Sequence, residues 1–264
     1  MKIDIQFIIK YLKYKIGSKH KHGHGIHSPF IYELLRKVIE GKVNSERFSD
    51  IENLRKQLLK NDNSIVVRDL GAGSKVSKTR ERKISEIAKN ALTREKYARL
   101  LFRLVDFFKP KNIVELGTSL GISTLYLATA SGNSHIITLE GSEEVAKIAR
   151  HNFELLKCKN IEIQIGNFDD VLPVVLGKIE SLDFVFFDGN HQKEPTLRYF
   201  EACLERKNNN SVFIFDDIHW SEGMESAWNE IKRHEKVVVT IDLFFFGLVF
   251  FRKEMSKQNF IIKF

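Results

Sequence analysis

Carboxylate and imidazole side chains that can bind a metal or transfer a proton follow two apolar stretches of the sequence. The stretch LDFVFF leads to Asp188 and His191, and the stretch VFIF leads to Asp216 and Asp217. If these stretches are neighbouring parallel strands, the three carboxylates converge and repel one another unless a cation lies between them. Such oxygen ligands suit Mg²⁺, Mn²⁺ or Ca²⁺, and His191 is then a candidate general base. In the alternative interpretation, Asp188 and Asp216 orient a ligand or cap helices without a metal.

A second candidate site lies in the stretch NIVELGTSLGISTLYLATA, residues 112–130. Its apolar beginning predicts a strand, and its end predicts a helix whose free N–H groups face a bound ligand. The turn residues that would line the ligand are Gly117, Thr118, Ser119 and Gly121. The glycine spacing is GxxxG, whereas a dinucleotide pyrophosphate favours GxGxxG. Glu115 would repel a pyrophosphate but suits S-adenosylmethionine, which carries an ammonium and a sulfonium. The alternative is an ordinary βα turn without a ligand.

The next two predicted strands end in residues suited to a nucleoside. Glu140 ends the stretch HIITLE, and Gly141 follows it. An acid at this strand end can accept hydrogen bonds from both ribose hydroxyls, which fits S-adenosylmethionine and NAD equally. After the following strand, Asn167 and Phe168 are candidates for contacts with adenine. A turn followed by a helix cap explains the same two residues without a ligand.

A histidine-rich segment, KHKHGHGIHSPF, occupies residues 19–30. A metal site needs ligands on a fixed frame, and alternating histidines in a glycine-broken loop are weak evidence for one. We therefore expect a loop over residues 20–27. Ser28 is predicted to cap a helix that has Pro29 at its first position.

The segment IVVRDLGAG, residues 65–73, imitates the central glycine motif with Asp69, Gly71 and Gly73. The sequence that follows, SKVSKTRERK, is strongly polar, so no buried helix begins there. We interpret the segment as a loop that could cover the site. The alternative is a turn before a helix at residues 84–91.

The elements that must position the candidate sites alternate from residue 94 to the end. Residues 94–108 predict an amphipathic helix that ends at Lys109-Pro110. Strands are expected near residues 112–116, 135–140, 161–165, 182–188, 211–216, 236–242 and 244–251. Helices are expected near residues 121–131, 143–157, 168–177, 194–206 and 222–234. This alternation implies an α/β, doubly wound, mainly parallel sheet of seven strands, in which the tightly joined last two strands must be antiparallel.

Charge and composition limit the class of protein. The 264 residues can form one full core, and the formal net charge is +8. Residues 1–60 contain 13 Lys and Arg against 6 Asp and Glu, so most of the excess lies there. This charge is either a solvated helical face or a patch for an anionic partner, substrate or membrane surface. With two cysteines, no secretory signal and no apolar run long enough to span a bilayer, we expect a cytoplasmic protein without a transmembrane segment.

The segments VELGTSLGIST, TLEGS, GNFDD, DFVFFDGNH and FIFDDIHWSEGMESAW together resemble class I S-adenosylmethionine-dependent methyltransferases. They are most similar to the catechol O-methyltransferase-like and macrolide-sugar O-methyltransferase-like branch. HGIHSPF and DLGAGS resemble a bacterial subgroup of predicted methyltransferases. The resemblance covers about residues 94–252 and depends on the order and spacing of the motifs. It implies a Rossmann-like methyltransferase fold over residues 93–264, with a helical N-terminal extension or cap over residues 1–92.

The resemblance also implies roles for the candidate residues. Glu115 and the two glycines of the turn would line the methionine part of the cofactor, and Glu140 would hold its ribose. The positions that bind a divalent cation in metal-dependent relatives match Asp188, Asp216 and Asp217. Catechol-type enzymes have a lysine base three residues after the first metal ligand, and His191 occupies that position here.

The sequence therefore predicts an S-adenosylmethionine-dependent methyltransferase that acts on the hydroxyl of a small molecule, with or without a divalent cation. An alternative is an RNA or protein methyltransferase that uses the basic N-terminal segment, although the chain lacks the (D/N/S)PP(Y/F) signature of nucleic-acid amino-methylating enzymes. An NAD-dependent oxidoreductase and a non-catalytic binding module are further alternatives. A homodimer is among the expected assemblies.

Overall fold

The computed structural model describes residues 5–18, 25–67 and 80–264. Its α-helices are α1 (Ile5–Gly17), α2 (Pro29–Leu34), α3 (Ser49–Leu58), α4 (Ile84–Ala91), α5 (Glu95–Phe108), α6 (Ile122–Ala130), α7 (Glu143–Leu155), α8 (Phe168–Lys178), α9 (Lys193–Leu204) and α10 (Glu222–Arg233). Its strands are β1 (Ser64–Val66), β2 (Glu81–Lys83), β3 (Asn112–Leu116), β4 (His135–Glu140), β5 (Ile161–Ile165), β6 (Leu182–Phe187), β7 (Lys207–Phe215), β8 (Val239–Asp242), β9 (Gly247–Phe250) and β10 (Gln258–Ile261). A π-helical turn continues α2, and a 3₁₀ turn precedes α3.

The contacts divide the chain into two compact units, one of residues 43–182 and one of residues 1–42 with 183–264. In the unit of residues 43–182, the parallel strands follow the order β3-β4-β5. The apolar side chains of β3, including Ile113 and Val114, are completely buried. Burial on both faces explains why this strand is a continuous apolar run.

In the other unit the strands follow the order β10-β8-β9-β7-β6. Strand β9 is antiparallel to both β7 and β8, whereas β10 is parallel to β8. The turn between β8 and β9 is closed by a hydrogen bond of 2.8 Å from Leu243 N to Phe246 O. Gly247 begins β9 beside the buried ring of Trp228, where a Cβ atom would lie 2.7 Å from the indole. A larger residue at position 247 would therefore displace part of the core.

The mainly parallel α/β sheet and its antiparallel strand confirm the predicted fold class. One prediction was wrong in detail: the described residues contain a strand beyond the seven expected for the sheet, because Gln258–Ile261 pairs with Val239–Asp242. Phe260 is the buried side chain of this strand, between exposed neighbours. Such a short segment with one buried residue lacks the apolar run that identified the other strands.

The segment of residues 65–73, which its sequence favours as a loop, begins with a strand. Ser64–Val66 forms a strand that pairs antiparallel with Glu81–Lys83 in a separate two-stranded sheet. The rest of that segment, including Asp69 and Gly73, lies outside the described residues. The apolar run at residues 65–67 is the local signal of this strand, and the loop interpretation left it out because the sequence that follows is strongly polar.

The start of α2 agrees with the sequence-based prediction. The Ser28 hydroxyl accepts a hydrogen bond of 3.4 Å from Ile31 N, and Pro29 is the first helical residue. His20, His22 and His24 lie outside the described residues, whereas His27 lies before this cap. The proposed boundary between residues 92 and 93 stays a prediction, since the two compact units divide the chain elsewhere.

Among the described residues, no helix combines the length and apolar character that crossing a bilayer requires.

Candidate active site

The turn between β3 and α6 has a backbone that is mostly left-handed. Gly117 has φ 107°, Ser119 has φ 49° and Gly121 has φ 83°. The N–H groups of Gly117 and Thr118 both donate to Leu139 O, at 3.0 and 3.1 Å. The turn is therefore fixed against the end of β4, and glycine is favoured at positions 117 and 121 because side chains rarely adopt these dihedral angles.

Helix α7 supports the same turn from behind. A Cβ atom at Gly121 would lie 2.4 Å from the ring of Phe153, and Asn152 Nδ2 donates to Leu120 O at 2.9 Å. Both α7 side chains are buried. Gly121 is thus required by packing as well as by its backbone conformation.

Glu140 joins the two loops at the carboxyl ends of β3 and β4. Its Oε2 accepts a hydrogen bond from Ser119 N, and its Oε1 accepts one from Ser142 N, both at 2.9 Å. The side chain remains partly exposed. The predicted ribose acid is therefore held in one orientation by backbone donors. A contact of this carboxylate with ribose hydroxyls stays a prediction.

Glu115 lies beneath the turn and is completely buried. Its Oε2 accepts hydrogen bonds from the hydroxyls of Thr124 at 2.5 Å and Thr138 at 2.6 Å. Burial raises the pKa of Glu115 to about 7, although the hydroxyls of Thr124, Thr138 and Ser123 favour the charged form. No described residue gives its Oε1 a hydrogen bond of ordinary geometry.

These residues fit S-adenosylmethionine. The buried Oε1 of Glu115 is an acceptor that lacks a donor among the described residues, and a cationic ligand would compensate for it. Gly117 provides a backbone that a ligand can approach closely. The role of Glu115 as a direct ligand contact stays a prediction, because its side chain has no exposed surface.

Asn167 and Phe168, the predicted adenine contacts, lie at the amino end of α8. The Asn167 Oδ1 accepts a hydrogen bond from Asp169 N at 3.2 Å, so the helix-cap alternative describes this side chain. Gly166 N donates to Glu140 O at 2.9 Å, which ties this loop to the end of β4. A contact of Asn167, Phe168 or Gly141 with adenine or ribose stays a prediction.

A cluster of potential metal ligands lies in the other unit. Asp188 follows β6 and Asp216 follows β7, and a hydrogen bond of 2.9 Å from Asp216 N to Phe187 O joins the two strand ends. One ligand atom each from Asp188, His191 and Asp216 lies within 4.8 Å of the others, and all three side chains are half-buried. The two carboxylates fit a divalent cation such as Mn²⁺ or Mg²⁺, and the imidazole beside them is a third ligand or, when it does not bind the cation, a base.

The cluster differs in composition from the set expected from the sequence. His191 Nε2 lies 3.7 Å from Asp188 Oδ1, so the histidine joins the carboxylates. Asp217 adopts φ 53°, and the convergent ligand atoms do not include its carboxylate. Burial lowers the pKa of His191, and the negative charge of Asp217 opposes this effect. Asp217 as a metal ligand and His191 as a base stay predictions.

The sequence did not indicate several polar residues that lie beside the candidate residues of each unit. Thr138 lies opposite Glu115 in the register of β3 with β4, a relationship that the predicted parallel pairing could have indicated. Asn190 has φ 54° between the two cluster residues, and its Oδ1 lacks a hydrogen-bond partner in the described part of the chain. His219 binds Asp242 Oδ2 through Nε2 at 2.8 Å and Glu225 Oε1 through Nδ1 at 3.1 Å. Although burial opposes its charge, these carboxylates raise the pKa of His219.

Known proteins with similar sequences include methyltransferases. Residues 114–218 match the family model described as "Methyltransferase domain". A catechol O-methyltransferase of Niastella koreensis is 30% identical over 118 residues, which is 44% of this chain and 52% of the relative. A catechol O-methyltransferase of Mycobacterium tuberculosis is 27% identical over 122 residues, or 46% of this chain and 54% of the relative. The chain thus spans about half the length of the curated relatives it matches.

A solved structure extends the likeness in fold over more of the chain. The O-methyltransferase from Bacillus cereus, solved with SAH, has a TM-score of 0.56 and 21% sequence identity. The match covers 84% of this chain and 97% of that protein. Residues 114–218, which match the family model, contain the glycine turn, Glu140 and the Asp188–Asp216 cluster. The predicted methyltransferase resemblance is confirmed, since residues 114–218 match the methyltransferase domain model and the similar curated proteins are O-methyltransferases.

Proposed function

We propose that the chain transfers the methyl group of S-adenosylmethionine to a hydroxyl oxygen of a small molecule, with a divalent cation at the Asp188 cluster. The observation that carries the proposal is the glycine turn whose Ser119 N–H is bonded to Glu140. It combines a close-approach backbone with a fixed ribose acceptor in the segment that matches the methyltransferase model.

In this proposal the unit of residues 43–182 binds the cofactor, which supplies a methyl group on a positively charged sulfur. Glu140 accepts the ribose hydroxyls while its two backbone bonds hold the carboxylate in place. Burial raises the pKa of Glu115 to about 7, and a cationic ligand above the turn would favour its charged form, whereas an anionic ligand would not. Gly117 allows the methionine part of the ligand to approach the backbone.

The acidic cluster provides the chemistry at the acceptor oxygen. A divalent cation held by Asp188 and Asp216 would lower the pKa of a bound hydroxyl. His191, whose Nε2 lies 3.7 Å from Asp188 Oδ1, accepts the proton that leaves this hydroxyl. Asp217 stabilises the positive charge that His191 then carries. The oxygen, once deprotonated, becomes the nucleophile.

The acceptor class follows from the relatives and from the cluster. The relatives in the comparison include catechol O-methyltransferases, and adjacent hydroxyls on a ring are suited to binding one cation together. We therefore propose a small molecule with two neighbouring hydroxyls as the acceptor.

Two measurements test the proposal. Isothermal titration of the full-length chain with S-adenosylmethionine should show binding below millimolar concentration, and NADH should give no heat. Formation of S-adenosylhomocysteine should then depend on a catechol and on Mg²⁺ and stop when EDTA is added. The Glu144→Ala variant, in the first turn of α7, is the matched control for Glu140→Ala. Lack of binding would refute the methyltransferase proposal, and turnover only with RNA would refute the small-molecule acceptor.

A further inference from the structure

One face of α1 carries an unusual set of exposed apolar side chains. They recur at helical spacing and are 42% to 85% exposed: Ile5, Ile8, Ile9, Leu12 and Ile16. We call this set the isoleucine stripe. At about 100° per residue the five side chains occupy an arc of about 100°. A continuous apolar stripe on a surface helix indicates a binding face.

The opposite face of α1 is anchored to its own unit. The rings of Phe7, Tyr11 and Tyr14 contact Phe244, with centroid distances of 5.3, 4.9 and 5.3 Å. The Tyr14 hydroxyl donates to Ile262 O at 2.5 Å and accepts from Phe264 N at 3.0 Å. The helix therefore cannot turn its isoleucine stripe inward without losing these contacts.

An ion pair from the middle of α1 also fixes the helix to its unit. Lys10 Nζ lies 2.9 Å from Glu225 Oε2, and Glu225 Oε1 in turn binds His219. Both partners belong to the same compact unit. The isoleucine stripe is thus displayed on a helix fixed by aromatic packing, hydrogen bonds and an ion pair.

Lysines flank the isoleucine stripe on both edges. On the helical projection Lys15 lies beside Ile8 and Lys13 lies beside Ile9, and both lysines are exposed. The sequence of α1 contains no Asp or Glu. An apolar stripe between lysines is the pattern of a helix that lies in the interface of an anionic membrane, with its lysines reaching the headgroups.

Charge disfavours a second copy of the chain as the occupant. If two stripes paired about a two-fold axis, the lysines of both helices would line the same interface without a carboxylate from either helix. The net positive charge of residues 1–60 favours an anionic surface in addition.

We propose that α1 docks the protein on the surface of a membrane rich in anionic lipid, with the isoleucine stripe between the acyl chains and Lys13 and Lys15 at the headgroups. The helix lies in the plane of the interface, since it is too short to span a bilayer. This proposal does not depend on the catalytic activity.

Co-sedimentation of the full-length chain with vesicles tests the proposal. The protein should pellet with vesicles of phosphatidylcholine that contain about one third phosphatidylglycerol. Much less protein should pellet with vesicles of phosphatidylcholine alone. Failure to bind the anionic vesicles would overturn the proposal.

Matched variants distinguish binding through the isoleucine stripe from nonspecific hydrophobic adsorption. The double variant Ile9→Gln/Leu12→Gln should bind at least about tenfold more weakly, whereas Leu155→Gln/Val174→Gln, exposed on other helices, should bind like the original. Circular dichroism and the thermal midpoint check that each variant is folded. Unchanged binding of the stripe variant would overturn the proposal. A dimer that the stripe variant abolishes would overturn it as well, by assigning the stripe to a second copy.

Charge reversal tests the lysines independently of the apolar core of the contact. Lys13→Glu/Lys15→Glu should weaken binding by about fivefold or more for each lysine, and added salt should reduce the binding of the original chain. The control Lys56→Glu/Lys60→Glu, exposed on and just after α3, should have a smaller effect. Equal effects of the two lysine pairs would overturn the assignment to α1.

Discussion

Glu140 Oε2 accepts a hydrogen bond of 2.9 Å from the backbone N–H of Ser119, so the acid that ends β4 fixes the glycine turn that ends β3. Two loops from separate parts of the sequence are thereby joined at the edge where we propose that the cofactor binds. The Ser142 N–H donates to the other oxygen of the same carboxylate. Substitutions at Glu140 should consequently affect both the ligand contact and the shape of the turn.

The first prediction concerns this carboxylate. Glu140→Ala removes the ribose acceptor and leaves the N–H groups of Ser119 and Ser142 without their partner. Because hydrogen bonds to charged groups contribute about 1.5–3 kcal/mol, affinity for S-adenosylmethionine should fall by about tenfold to a hundredfold. Isothermal titration measures the loss, and Glu144→Ala should retain the original affinity. Equal affinities of the two variants would contradict the role of Glu140.

The second prediction concerns the conformation of Gly121. Gly121→Ala places a Cβ atom 2.4 Å from Phe153 at φ 83°, so we expect unfolding to become easier by about 2–4 kcal/mol. Gly132→Ala is the matched control, because no atom lies within 4 Å of its Cβ position. Urea denaturation of both variants gives the comparison. A Gly121→Ala variant as stable as Gly132→Ala would contradict the close packing of Phe153 against Gly121.

The third prediction is a pH dependence at Glu115. Burial raises the pKa of Glu115 from 4.5 to about 7, so the folded chain holds a proton that the unfolded chain has released between these values. The stabilisation associated with this proton is complete below pH 4.5 and is lost as the pH rises through about 7. Relative to Glu115→Gln, the original chain should lose about 3 kcal/mol of unfolding free energy over this range.

Urea unfolding of the original chain and Glu115→Gln, repeated from pH 4.5 to 8, measures this difference directly. Contributions of other titrating groups cancel in the comparison. The exposed substitution Glu86→Gln on α4 is the control, for which we expect a much smaller change. A pH-independent difference for Glu115→Gln would mean that the carboxyl is hydrated or already paired.

The fourth prediction concerns metal binding. Asp188→Asn and Asp216→Asn should each weaken Mn²⁺ binding by at least about tenfold, since each removes a charged ligand from the cluster. Asp170→Asn, an exposed acid in the first turn of α8, should have no effect. Titration of Mn²⁺ followed by electron paramagnetic resonance counts the bound ions. Asp217→Asn decides whether the fourth candidate is a ligand: a loss as large as that of Asp188→Asn would assign it to the metal.

The parts of the fold that the sequence predicted are those with strong local patterns. Asn112–Leu116 and His135–Glu140 have the bounds expected from their apolar runs, because burial on both faces leaves a continuous signal. Gln258–Ile261 was missed since one buried residue, Phe260, gives no such signal. Ser64–Val66 was missed because the polar sequence that follows its short apolar run favoured a loop.

The sequence predicted which residues belong to the candidate site better than it predicted their burial and hydrogen bonds. The spacing of Asp188 and His191 after an apolar strand identified both, yet the convergence of His191 rather than Asp217 depends on backbone angles after β7. Glu115 was expected to face a ligand. Its burial beneath the turn and its bonds to Thr124 and Thr138 arise from tertiary packing that one sequence does not reveal.

The contact between Gly121 and Phe153 has an evolutionary consequence. A side chain at position 121 and an aromatic ring at position 153 cannot occupy the same space. Homologous chains that have alanine or serine at the first position should therefore have a small residue at the second, so that the two positions change together. Substitutions in α7 would in this way determine which sequences of the cofactor turn a lineage can explore.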